Sequence, residues 1–257
     1  MKLNQLVEQL PYGAVVPQAR LEQRGVSSSK ASYLASSDWL MRVGHGAYSR
    51  KGTPLTWESA VFGLQYGQPP ANLRIWPGGF TALDLAGFAH YLSLGHKTVQ
   101  LFGKPGARLP RWFTAAEWGV AINYSSSDLF NECMPSDFVE YMSATHYSFW
   151  ASSPERAVLE WLNVLSDELL FGDAVVDTFS GLGTLRPAHL QSLLERCRSI
   201  RVKRVFMVLA RETQHAWYKH LNRSSINMGK GKRQIFNGGR LDKEFLVTVP
   251  ERFVHDV

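Results

Sequence analysis

Residues 25–51, GVSSSKASYLASSDWLMRVGHGAYSRK, constrain this chain more than any other stretch, because a helix with a polar outer face runs straight into a β-hairpin. Ser27 suits an N-cap, since its hydroxyl can accept from the free backbone N–H groups of the following turn. Ala31, Leu34 and Ala35 recur at helical spacing and face inward, leaving Ser28, Ser29, Lys30, Ser32 and Tyr33 outside. Trp39, Leu40 and Val43 then alternate with polar partners, Gly44-His45-Gly46 supplies a turn, and Tyr48 with Arg50 marks a return strand.

Two helices are expected upstream. Leu3, Leu6, Val7 and Leu10 give a short amphipathic helix that stops at Pro11. A second begins after Pro17, with Ala19 and Leu21 on its apolar side, and ends at Gly25, a residue able to take positive φ. Three short helices followed by a hairpin is the order of a winged helix-turn-helix. In that arrangement the third helix meets base edges through Ser28, Ser29, Ser32 and Tyr33, while Arg20, Arg24, Lys30, Arg42, His45, Arg50 and Lys51 meet DNA backbone phosphate. An ordinary solvated helix carries the same polar residue types, so it is the hairpin that favours the DNA reading.

The charge distribution agrees. Residues 1–52 carry a net +4, residues 53–194 a net −6 and residues 195–257 a net +8, within a total of +6. Basic ends attract nucleic acid, whose phosphates supply most non-specific affinity. A chain of 257 residues that is 45% hydrophobic buries a real core and has room for a small domain and a larger one. The expected boundary is Lys51-Gly52-Thr53-Pro54, dividing residues 1–52 from residues 53–257, with few contacts crossing it. No signal-peptide run and no membrane-length segment is present, so the chain is expected in the cytoplasm with no membrane partner. Cys133 and Cys197 lack partners at metal-ligand spacing and are expected reduced.

The region beyond residue 52 reads as mixed α and β, which makes the fold class α+β. A helix capped by Thr56 opens it. Short apolar runs at 74–76, 98–102 and 120–124 alternate with helical patterns at 81–92 and 154–165, and 187–197 is a further helix. Residues 202–210 fit a buried strand or a helix equally. The tail adds an Asn237-Gly238-Gly239 turn and a strand in EFLVTVP. The larger domain reads as one body or as two lobes, the basic C-terminal part beginning at about residue 182.

Catalytic chemistry has no foothold in the motifs. The segment Gly229-Lys230-Gly231-Lys232-Arg233 departs from both phosphate-loop and dinucleotide fingerprints and reads as a basic turn. His215 and His220 are five apart, not four, and no nucleophile elbow occurs. Asp167, Glu168, Asp173 and Asp177 read as solvated helix charges. No catalytic residue, metal site or cofactor is expected. Most of Trp112, Trp118, Trp150, Trp161 and Trp217 belong to the core, with Trp217, beside Lys219 and His220, the best candidate for stacking on a base.

Four further blocks carry a family resemblance: GFTALDLAGFAHYL (79–92), ASSPERAVLEWL (151–162), LGTLRPAHLQSLLERCRSIRVKRVFMVLAR (182–211) and INMGKGKRQIFNGGRLDKEFLVTVP (226–250). In that order, behind a winged helix, they resemble the AbiEi antitoxins of type IV toxin-antitoxin systems. The resemblance implies an autorepressor that binds promoter inverted repeats. It also implies a C-terminal domain that counteracts an AbiEii-like nucleotidyltransferase toxin without a stable complex. The basic set Arg201, Lys203, Arg204, Lys230, Lys232 and Arg233 is the expected antitoxin surface, with RNA as a further candidate ligand. The alternative is an enzyme acting on RNA or nucleotides through the basic C-terminal region, targeted by the winged helix.

Overall fold

The computed structural model describes residues 10–88, 98–143 and 147–254, so the helix expected at the extreme N-terminus lies outside the described residues apart from Leu10. The N-terminal elements are β1 (Val16–Pro17), α1 (Gln18–Gln23), α2 (Ser28–Ser36), β2 (Leu40–Gly44) and β3 (Ala47–Arg50), and the strands form a three-stranded sheet in the order β1-β3-β2. Two antiparallel pairings build it, with Leu40 opposite Arg50 and Val16 opposite Tyr48. The hairpin turns on His45-Gly46 alone, with Gly46 at a φ of +76°. The order and pairing are those of a winged helix-turn-helix.

Local sequence explains the ends of these helices. Gly25 follows α1 at a φ of +78°, the Val26 N–H reaches back to the Leu21 carbonyl at 3.0 Å, and the Ser27 hydroxyl caps α2 by accepting from the Lys30 N–H at 3.2 Å. The inward faces then meet: Val16, Leu21, Val26, Ala31, Leu34, Leu40 and Tyr48 form one apolar cluster with Leu10, each at most 2% exposed. Burying such a cluster contributes roughly 1.5–3 kcal/mol per large side chain.

Downstream come α3 (Trp57–Gln65), β4 (Ile75–Pro77), α4 (Gly79–Leu85), β5 (Thr98–Gly103), α5 (Arg111–Thr114), β6 (Ala121–Ser126), β7 (Phe138–Met142) and β8 (Ser148–Ser152). Thr56 caps α3 in a reciprocal box with Ser59. Strands β4-β5-β6 form a mixed sheet, antiparallel between β4 and β5 and parallel between β5 and β6, while β7 pairs with β8. The last elements are α6 (Pro154–Val164), α7 (Asp173–Ser180), α8 (Pro187–Arg196), α9 (Ile200–Thr213), β9 (Arg240–Asp242) and β10 (Val247–Val249). The segment with two readings, 202–210, is the helix α9: every residue from Val202 to Ala210 is buried. The strand expected in EFLVTVP shortens to Val247–Val249, because Leu246 takes a φ of +53°.

The chain groups into two compact units, one drawn from residues 1–77, 96–126 and 138–151, the other from 78–95, 127–137 and 152–257. Contacts do cross the point at Gly52–Pro54. The Val15 N–H donates to the Ser59 carbonyl of α3 at 3.3 Å, and Gly44 lies so close to α5 that a Cβ there would sit 2.8 Å from the Trp112 Cα. The winged helix therefore leans on residues far beyond 52 within the first unit.

Candidate nucleic-acid interface

Helix α2 presents Ser28, Ser29, Lys30 and Tyr33 to solvent, and Tyr33 is 65% exposed. Hairpin cations border this face. Arg42 of β2 donates to the Ser32 hydroxyl at 2.9 Å and lies over the Tyr48 ring at 5.5 Å, so hairpin and helix are joined at the polar side of α2. His45 is exposed at the hairpin tip, and Arg50 is partly exposed at the end of β3. A groove of about 610 Å³ runs between α2 and the hairpin, bordered by Ser32, Ser36, Asp38, Arg42 and Lys51. Lys51 is paired with Asp38 at 2.5 Å.

Arg20 and Arg24 have a different setting. Their guanidinium carbons lie 5.7 and 5.6 Å from the Tyr66 ring centroid, and Arg24 also donates to the Tyr66 hydroxyl. Tyr66 follows α3, and nothing in its local sequence marks it as a partner of two arginines. The structure thus brings Ser32, Arg42 and Lys51 around one groove, leaves Lys30 exposed on α2, and gathers Arg20 and Arg24 at a tyrosine outside the 1–52 segment.

The second basic set divides. Lys203 and Arg204 are 2% and 1% exposed, which corrects their expected place on a surface. The cause is the apolar environment of α9, which buries every side of the helix along residues 202–210. Burial lowers the Lys203 and Arg204 pKa values from their ordinary range. The Arg204 fork donates to the carbonyls of Met228 at 2.9 Å, Gly231 at 2.9 Å and Leu246 at 2.7 Å. It thereby fixes the backbone of the basic turn, on which Lys230, Lys232 and Arg233 are exposed. Arg201 is tied down by Asp167 at 2.6 Å and by the carbonyls of Leu162 and Leu165. Trp217 is no stacking platform: it is 3% exposed, its indole N–H donates to the Leu182 carbonyl at 2.7 Å, and its ring packs near Phe206.

A buried charged cluster went unforeseen. Asp137, fully buried, accepts from Arg196 at 2.8 and 3.0 Å and from Arg156 at 3.3 Å; Glu160 accepts from Arg156 at 2.7 Å and from the Ser152 hydroxyl at 2.7 Å; Glu155 accepts from Arg186. Although burial alone raises a carboxyl pKa, hydrogen bonds from these arginines hold Asp137 and Glu155 below the usual carboxylate range. Ser153, His189 and Asp137 meet here, but not as a catalytic triad. Ser153 Oγ at 3.2 Å and Asp137 Oδ1 at 3.8 Å both face the same ring nitrogen, Nε2, whereas a relay needs one partner on each. Burial pushes the His189 pKa down. Among the described residues no group of three or more His, Cys, Asp or Glu could hold a metal ion, and no helix is long and apolar enough to cross a membrane. Cys133 and Cys197 are free, and burial raises the Cys197 thiol to about 11.

The crystal structure of the RV2827C protein from Mycobacterium tuberculosis is similar, with a TM-score of 0.56 and 14% identity over 95% of this chain and 88% of that one, a likeness of fold alone. No curated protein matches the chain. A family model described as transcriptional regulator, AbiEi antitoxin N-terminal domain, matches residues 1–94, and one described as transcriptional regulator, AbiEi antitoxin, type IV TA system, matches residues 96–250. With both models together spanning nearly its whole length, the chain belongs to the AbiEi family of transcriptional-regulator antitoxins of type IV toxin-antitoxin systems.

Proposed function

We propose that this protein represses its own operon by binding inverted repeats in the promoter through α2 and the hairpin, and counteracts a nucleotidyltransferase-like toxin through its C-terminal region. The observation that supports repression most is the bond from Arg42 to Ser32, because it places a hairpin cation at the face of the helix that would meet base edges. Ser28, Ser29, Ser32 and Tyr33 read sequence; Lys30, Arg42, Arg50 and Lys51 neutralise phosphate. One small winged helix covers a short site, so two copies on two half-sites supply the affinity. Residues 1–52 supply the DNA contacts and the remainder of the chain the antitoxin role.

Footprinting of the upstream promoter tests the first half. Two protected, inverted half-sites are expected, and one unrepeated site protected by a single molecule would contradict the reading. For the second half, the exposed basic turn at Lys230, Lys232 and Arg233 is the antitoxin surface. It acts in the cytoplasm, without a lasting complex with the toxin and without an enzymatic step of its own.

A further inference from the structure

Asp38 occupies a position that disfavours its negative charge in two independent ways. Its φ is +64°, in the left-handed region that asparagine adopts as readily as aspartate, so the backbone does not call for the acid. It stands just past the C-terminus of α2, in a Schellman closure with the Trp39 N–H on the Leu34 carbonyl at 3.0 Å and the Asp38 N–H on the Ala35 carbonyl at 3.4 Å. That is the negative end of the helix dipole, which repels a carboxylate. Among the described residues bordering the groove it is the acid, beside Arg42, Lys51, Ser32 and Ser36, on the side proposed to receive phosphate. Its carboxylate lies 2.5 Å from Lys51 Nζ, with the two side chains 75% and 53% exposed. So open an ion pair contributes little to folding. Asparagine would keep the backbone conformation and serve both helix end and groove better.

We infer that Asp38 is an affinity-limiting residue of the DNA interface: it occupies Lys51 and keeps that cation from the phosphate backbone. This rests on the DNA-binding reading above. Binding then requires Lys51 to exchange a carboxylate for a phosphate, which lowers affinity for every sequence and leaves the contacts that discriminate to set where the protein stays. Such a limit favours the operator, because uniform phosphate affinity favours the many non-operator sites.

The test measures binding of Asp38→Asn, Lys51→Ala and the double variant to the promoter duplex and to a scrambled duplex by fluorescence anisotropy, over roughly 50 to 200 mM salt. Asp38→Asn should bind both duplexes roughly three- to eightfold more tightly at about 0.1 M salt, with the slope of log K against log salt steeper by about one. Its melting temperature should equal or exceed that of the wild type. In the Lys51→Ala background the gain should shrink below about twofold. Unchanged or weaker binding by Asp38→Asn overturns the inference and makes the pair a strut for the hairpin, as does an undiminished gain without Lys51. Wild-type protein with no salt-dependent affinity for duplex DNA instead overturns the DNA reading itself, and the inference with it.

Discussion

The Arg42 guanidinium, on the first strand of the hairpin, donates to the Ser32 hydroxyl on the outward side of α2 at 2.9 Å. Helix and hairpin are coupled there by an aimed side chain whose guanidinium is steadied over the Tyr48 ring. Arg42→Ala should weaken binding to all duplexes and make the salt slope shallower by about one. Ser32→Ala should leave that slope in place and reduce discrimination between promoter and scrambled DNA. A double-mutant cycle on promoter affinity should return a coupling of about 0.5–1 kcal/mol; strict additivity would show that the contact does not organise the interface.

Arg204 is the fixing point of the basic turn. Replacing it with methionine removes a charged fork from three carbonyls and should cost about 3 kcal/mol in stability. Lysine should not restore it, since one ammonium cannot reproduce the planar fork. Urea denaturation gives the stability, and hydrogen exchange at residues 228–233 should accelerate in both variants. The amides of that turn staying as protected as in the wild type would show that the fork does not hold it.

The buried cluster makes stability depend on pH in two stages. His189 has a depressed pKa, so the folded state favours neutral imidazole; its contribution is present above the ordinary histidine range, about 6.5, and is lost as pH falls below it. Asp137, Glu155, Arg186 and Arg196 are the charges that act on it. Asp137 and Glu155 are also depressed, so theirs is present above the ordinary carboxylate range, about 4, and lost at more acid pH. Thermal melts should show a shallow decline from neutrality towards pH 5, absent in His189→Gln, and a steep one below about pH 4. Asp137→Asn should cost about 3–5 kcal/mol by leaving the Arg196 charge without its carboxylate partner, while Arg156 keeps Glu160. A flat profile between pH 7 and about 5 in the wild type would refute the assignment of the first stage to His189.

Reversing Lys230, Lys232 and Arg233 to glutamate, all exposed, should leave the melting temperature within about 2 °C of wild type and abolish protection during toxin co-expression. Full survival would remove the basic turn from the antitoxin role. Lys203 and Arg204 are unsuited to such a test, because a carboxylate at either buried position disrupts folding. Excising residues 1–52 would likewise uncover Trp112 and the face of α3, so point variants separate the two roles more cleanly than truncation.

Where the fold was readable, local chemistry decided it. Ser27 and Thr56 cap helices because their hydroxyls satisfy free N–H groups within one turn, and Gly25 ends α1 because glycine takes positive φ freely. The apolar spacing of Ala31 and Leu34 set the inward side of α2, and with it the polar face outside. What stayed hidden depends on long-range packing. Periodicity could not make 202–210 a helix, because a segment buried on every side has no polar face to reveal its period. For the same reason Lys203 and Arg204 read as surface charge. The partnership of Arg20 and Arg24 with Tyr66 spans more than forty residues, and the Asp137 cluster joins residues from 137 to 196, distances across which local patterns carry no signal.

The central claim is that α2 and the hairpin bind the protein's own promoter, and the most direct measurement is the affinity of Lys30→Ala/Arg42→Ala for the upstream duplex as salt is varied. The account predicts binding weaker by roughly ten- to sixtyfold at about 0.1 M salt and a log–log slope reduced by about two, with an unchanged melting temperature. Wild-type affinity and slope in that folded double variant would contradict it.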